Sequence, residues 1–159
     1  MDIGYDLFSD KSSLKTTFIA ADVFDQNSAL QQLDGKMNVV HGASFLHLFD
    51  LEGQVNACKR IVKLLRDEPG SMFLGRQIGN LVASTQAGRL NPNKQRYRHN
   101  VDSFQKMWQQ VGDETGTEWK VEAHFGKEDL YAMAKEACIE NSFVPEGSRW
   151  LSFAVRRTA

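Results

Sequence analysis

A succession of short apolar runs that barely alternate constrains this chain more than any other feature. Residues 17–24 read Thr17-Phe18-Ile19-Ala20-Ala21-Asp22-Val23-Phe24. Residues 37–44 follow the turn signal Asp34-Gly35 and read Met37-Asn38-Val39-Val40-His41-Gly42-Ala43-Ser44. Residues 71–75 read Ser71-Met72-Phe73-Leu74-Gly75. Each run is too short for a helix and carries the branched and aromatic side chains that suit a buried strand. Between the second and third lies the clearest helix. Asp50 can cap its start, Val55, Cys58, Ile61, Val62 and Leu65 recur at helical spacing, and Pro69-Gly70 stops it. Unbroken apolar strands around an amphipathic helix imply a parallel sheet covered on both faces, so the expected class is α/β.

Residues 79–100 lose periodicity and collect Gly88, Pro92, Asn, Gln and a cluster of Arg and Lys, which reads as a long loop. A second helix opens near residues 100–103, with Phe104, Met107, Trp108 and Val111 on one face and Gly112 at its end. Residues 119–125 alternate apolar and polar, a weaker helix is expected over residues 127–140, and residues 149–156 alternate again. The two alternating runs, joined through Pro145-Glu146-Gly147, suit an antiparallel pair at a sheet edge. The chain contains no repeat and no low-complexity tract, and residues 1–159 are expected to form one domain.

The composition removes several classes of function. Lys plus Arg number 19 against 20 Asp plus Glu, so the basic excess of a general nucleic-acid or membrane-surface binder is missing. No apolar run approaches the roughly 20 residues of a spanning helix, and the acidic start lacks the pattern of a signal peptide. Cys58 and Cys138 stand far apart and outside any CxxC arrangement, as buried thiols rather than a disulfide or a zinc site, and no metal is expected. The chain reads as cytosolic.

Particular words narrow the reading further. Residues 18–25, His41-Gly42-Ala43-Ser44-Phe45-Leu46-His47-Leu48-Phe49, residues 54–65, Leu74-Gly75-Arg76-Gln77, and the stretch from Tyr97-Arg98-His99-Asn100 through Trp108 to Thr115-Gly116-Thr117 resemble one group. It is the class I S-adenosylmethionine-dependent methyltransferases of fungal secondary-metabolite clusters, those of meroterpenoid pathways included. The resemblance implies a partial Rossmann-like methyltransferase sheet, mostly parallel with an antiparallel C-terminal pair. The activity it implies is O-methylation of a hydroxyl or carboxylate on a small-molecule secondary metabolite, with S-adenosyl-L-methionine as cofactor.

By the resemblance Asp22 ends the family's third strand, where an acid accepts a hydrogen bond from the adenine amine. Val23 and Phe24 would then line the adenine pocket. The competing role for Asp22 is capping the segment that follows. Ser44 and Phe45 end the next strand, where the cofactor and substrate sites meet. His47 beside them is either a general base toward a hydroxyl or a hydrogen-bonded packing residue. Arg76, Arg89, Arg96, Arg98 and His99 either hold an anionic substrate, since guanidinium matches carboxylate, or form a solvated loop face.

The family's opening strand, its glycine-rich turn and the acid-ended second strand do not precede Phe18, and the sequence holds no GxGxxG. The resemblance therefore describes an N-terminally truncated methyltransferase whose independent activity is doubtful. Losing those strands exposes two apolar strand edges. A homodimer, a partner chain, or a non-catalytic remnant that binds a partner through such an edge is the alternative expectation.

Overall fold

A computed structural model describes residues 7–9, 12–88, 91, 93–137 and 144–159. Four strands form its central sheet: β1 (Val39–Ala43), β2 (Met72–Asn80), β5 (Trp119–Phe125) and β6 (Ser148–Arg157), in the spatial order β1-β2-β6-β5. β1 runs parallel to β2, with Val40 opposite Phe73 and Gly42 opposite Gly75. β2–β6 and β5–β6 are antiparallel, so the closing pair stands where the alternating runs locate it. Two short strands, β3 (Ser84–Ala87) and β4 (Gln95–Arg98), form a separate antiparallel hairpin.

Two helices cover one sheet face. α1 (Leu51–Leu64) begins at Asp50, whose carboxylate accepts the Gly53 N–H at 2.8 Å. α2 (Val101–Thr115) opens with a reciprocal cap between Asn100 and Ser103 and ends at Gly116 in the left-handed region, φ 66°. Ala57, Cys58 and Ile61 of α1 and Phe104, Trp108 and Val111 of α2 are buried with Phe73, Leu151, Phe153 and Val155. These alternate strand residues all lie on the helix side. Glycine is required where β1 and β2 touch this layer. A Cβ on Gly75 would stand 2.1 Å from the Gly42 carbonyl oxygen, and one on Gly42 would stand 2.8 Å from the Phe73 ring. On the other face Val39, His41, Ala43, Arg76, Lys120, Glu122 and Arg156 are exposed.

Three expectations are corrected. Residues 17–24 enter no strand. The backbone there turns locally instead, Asp22 accepting the Phe24 N–H at 2.8 Å and Asp25 accepting those of Asn27 at 2.8 Å and Ser28 at 3.1 Å. Such short Asp contacts compete with a strand ladder, and β1 keeps an unpaired outer edge among the described residues. The expected long loop of residues 79–100 contains the β3–β4 hairpin, and β2 runs on to Asn80. The weak helix shortens to α3 (Leu130–Glu136), which Asp129 caps by accepting from Tyr131 and Ala132. The expected end of that helix lies in part outside the described residues, as do Arg89, Pro92 and Cys138.

Candidate functional site

In an open α/β sheet ligands gather at the carboxyl ends of parallel strands. β1 ends in Ser44, whose φ of 53° puts a residue with a side chain in the left-handed region. That conformation costs about 1–2 kcal/mol and is anchored by the Ser44 N–H donating to the Arg76 carbonyl at 2.8 Å. The chain then bends through Phe45 into the 3-10 turn Leu46–Leu48. Phe45 and Phe49 meet edge-to-face at 5.2 Å, and Phe24 and Phe49 do so at 5.0 Å. Two residues expected to share a site, Phe24 and Phe45, are thus both brought against a third aromatic. Asp22 is exposed, and one of its carboxylate oxygens is bonded to the Phe24 N–H. Val23 is half-buried and shares a groove with Phe24 along α1.

The hairpin is stitched to this turn. Tyr97 donates its N–H to the Phe49 carbonyl at 2.9 Å, and Arg98 Nη1 donates to the His47 carbonyl at 2.6 Å. Gln54, on the first turn of α1, donates its Nε2 to the carbonyls of Phe49 (3.1 Å) and Tyr97 (2.9 Å). The backbone of β2 joins in, Asn80 N–H donating to the His99 carbonyl at 2.9 Å and Ile78 N–H pointing to His47 Nδ1 at 3.4 Å. His99 Nδ1 pairs with the Ser103 hydroxyl at 2.8 Å.

These contacts redefine several expected site residues. Arg98 and His99 are only 1% exposed, so they are interior groups rather than a solvated loop face. Burial, with the charges of Arg98 and Arg96 added, lowers the pKa of His47 to about 4. Burial also brings His99 to about 4 against the opposing bond to Ser103. Both imidazoles are therefore neutral near pH 7. His47 has Nδ1 turned to the Ile78 N–H and is a weak base near pH 7. Burial and the neighbouring Arg96 lower Arg98 to about 10, still a cation at neutral pH. Arg76 is not brought to this cluster. It lies on the opposite sheet face, its guanidinium 4.5 Å from the centre of the Trp150 ring.

Around the hairpin, five buried polar atoms have no hydrogen-bond partner among the described residues: Gln54 Oε1, Gln77 Oε1, Arg96 Nε, Arg98 Nε and His99 Nε2. No ion pair with a carboxylate is formed by Arg96 or Arg98 among the described residues. Gln54 and Gln77 escaped the sequence reading. Gln54 did leave a signal, since it falls on the same helical stripe as Cys58, Ile61 and Leu65. Among the described residues no group of three His, Cys, Asp or Glu is placed to hold a metal, and no helix is long and apolar enough to cross a membrane.

No protein-family model matches the chain. Curated fungal proteins do. The chain is 44% identical over 165 residues to the O-methyltransferase phiE of Fungal sp. (strain ATCC 74256), covering 99% of this chain and 55% of that protein. It is 37% identical over 158 residues to the O-methyltransferase atr3 of Stereocaulon alpinum, covering 99% and 43%. It is 35% identical over 130 residues to the Asnovolin E/Chermesin D methyltransferase nvfJ of Aspergillus novofumigatus, covering 81% and 46%. The chain thus spans about half the length of these relatives. Among solved structures, the 1,6-didemethyltoxoflavin-N1-methyltransferase of Burkholderia thailandensis superposes with a TM-score of 0.63 at 12% identity, over 98% of this chain and 56% of that one. The [4+2]-cyclase SpnF superposes with a TM-score of 0.62 at 10% identity, over 99% and 62%. At such identities these likenesses establish the fold alone, and a cyclase among them shows that fold does not fix chemistry.

Proposed function

We propose that this chain, related along almost its whole length to fungal secondary-metabolite O-methyltransferases, carries the adenine-side and substrate-side walls of an S-adenosylmethionine-dependent O-methyltransferase site. The observation that carries the reading is the meeting of Phe24, Phe49 and Phe45 at the end of β1. An aromatic cluster with an exposed acid beside it fits an adenine ring and its exocyclic amine, because a carboxylate accepts what the amine donates. Asp22, Val23, Phe24, Ser44 and Phe45 would hold that end of the cofactor, which when bound supplies an electrophilic methyl group.

On the substrate side, Arg96 and Arg98 offer buried guanidinium N–H groups without protein partners, suited to an anionic small molecule. His99 and His47 hold the hairpin that carries these arginines, and Arg76 stands apart beside Trp150. An oxygen that arrives already ionised, as a carboxylate does, needs positioning more than a base, which agrees with the weakly basic His47. Buried Cys58, unpaired as a thiol, fits a reducing cytosolic setting.

Calorimetric titration with S-adenosylmethionine and S-adenosylhomocysteine tests the reading. Saturable binding of both, lost in Asp22→Ala, supports it; a folded chain that gives no heat with either at millimolar ligand overturns it. The outer edge of β1, unpaired among the described residues, favours a second reading, association with a partner chain by strand addition. Light scattering over a concentration series separates the two, because a chain that stays monomeric and binds cofactor needs no such partner.

A further inference from the structure

A second cationic groove lies along α1, between that helix and residues 23–26. It encloses about 610 Å³, within the size range of small-molecule sites. Asn56, Arg60 and Lys63 of α1 line it together with Val23, Phe24 and Glu114.

Arg60 is the unusual member. It is 6% exposed, and its Nη1 pairs with Asp34 at 2.7 Å. Its Nε and Nη2 are buried and have no partner among the described residues. Those two nitrogens form the side-on fork of the guanidinium, whose parallel N–H groups match the two oxygens of a carboxylate or phosphate. One helical turn on, Lys63 is exposed and makes no ion pair among the described residues. The acid in the groove is already engaged, since Glu114 pairs with Lys59 and accepts from Gln110. Opposite α1, Val23 and Phe24 add apolar surface, and the segment bearing them is held by its own Asp22 and Asp25 turns.

We infer that this groove binds a small anion with an apolar body, its carboxylate or phosphate head seated on the Arg60 fork beside Lys63 and its body against Val23 and Phe24. The fork is closed to water in the present conformation, so entry requires the side chains around it to move, with residues 23–26 forming the groove wall opposite α1. The hydrogen bonds of that wall are local, so its movement breaks none of the helix or sheet ladders, and the cost is the Phe24–Phe49 ring contact. The site shares Val23 and Phe24 with the proposed cofactor wall but rests on Arg60 and Lys63, and it is separate from the arginines on the hairpin.

Phenyl phosphate is the probe, with inorganic phosphate as the head without a body. Calorimetry should give saturable binding of phenyl phosphate near or below about 1 mM, tighter than inorganic phosphate and weakened by salt. Lys63→Glu, at an exposed position, should weaken it roughly tenfold or more by placing a like charge beside the head. Arg60→Gln should abolish it, and if that variant fails to fold the lysine variant still decides. Amide chemical-shift changes should fall on residues 23–26 and on α1 around Asn56–Lys63. No saturable heat up to about 10 mM, equal affinity in wild type and Lys63→Glu, or shifts confined to β3, β4 and residues 46–49 would each overturn the proposal.

Discussion

Replacing Gln54 by alanine tests whether the β3–β4 hairpin is held to the body of the protein from the first turn of α1. The side chain is fully buried, and its Nε2 donates to the Phe49 and Tyr97 carbonyls at 3.1 and 2.9 Å. Each such bond contributes about 0.5–1.5 kcal/mol net, so the pair is worth roughly 1–3 kcal/mol. Phe49 retains the Tyr97 N–H as a donor, whereas the Tyr97 carbonyl loses the amide. Deleting buried methylene costs about 1 kcal/mol more. Removing the unpaired Oε1 recovers about 1 kcal/mol. The expected loss is therefore about 2 kcal/mol, lowering Tm by roughly 4–8 °C for a chain of this length.

Urea titration should show a lower midpoint at unchanged slope. Hydrogen exchange then locates the damage: amides of β3 and β4 should lose protection, while those of β2 and β6, each paired on both sides, should keep theirs. Gln54→Leu keeps the volume and removes the orphan oxygen, so it should cost less than the alanine. An alanine variant within about 0.3 kcal/mol of wild type, or one that loosens β2 as much as β4, would refute the reasoning.

Acid should destabilise the fold well before its carboxylates titrate. His47 and His99 sit at about 4 against an ordinary 6.5, so between these values the unfolded chain binds protons that the folded one refuses. Stability is full above pH 6.5 and falls as the pH drops toward 4, by about 2 kcal/mol per histidine at pH 5; equal urea midpoints at pH 7.5 and 5 would contradict this. Gly75→Ala should cost several kcal/mol and more than Gly42→Ala, because its Cβ meets the Gly42 backbone oxygen whereas that of Gly42 meets a ring edge. Thermal denaturation of the two variants gives the order. Burial raises the pKa of Cys58 far above the usual thiol range, so a thiol reagent should label it only as the protein unfolds. Peptide mapping after native labelling at pH 8 checks the point.

Much of this fold was readable because its elements stabilise themselves in ways the sequence displays. Val55, Cys58 and Ile61 draw the stripe of α1, Phe104, Met107, Trp108 and Val111 that of α2, and Asp50 and Asn100 mark their starts. β5 and β6 alternate because one face packs on α2 and the other meets water. The hairpin has no such signature. Ser84-Thr85-Gln86-Ala87 and Gln95-Arg96-Tyr97-Arg98 bury no apolar face of their own, and their order comes from docking on the backbone of residues 47–49. That docking also buries Arg98 and His99, which spacing alone cannot foresee. Residues 17–24 are the reverse case. Their composition suits a strand, but a strand needs a paired neighbour, and the carboxylates of Asp22 and Asp25 supply local turns instead. The 3-10 helix Ala29–Leu33 starts at Ser28 with no side-chain cap, so Asp22 does not cap it but closes a local turn. That turn engages one carboxylate oxygen and leaves the acid exposed beside Phe24.

Where the buried polar atoms go unpaired separates packing from function more sharply than sequence motifs do. Between the helices and the sheet, where Phe73, Phe104, Leu151, Phe153 and Val155 meet, the interior is apolar, with Trp108 Nε1 the orphan atom of that layer. Five others gather beneath the hairpin, two of them on guanidinium groups. An unpaired buried guanidinium is a costly arrangement that a protein designed only for stability would replace with an apolar side chain. A small anion entering between Arg96 and Arg98 would supply the missing acceptors without disturbing the bond from Arg98 to the His47 carbonyl, since Nε rather than Nη1 is the free donor. The same bond ties the arginine to the turn between Phe45 and Phe49. An anion held at Arg98, as proposed above, would thereby stand in register with the aromatic wall proposed for the cofactor.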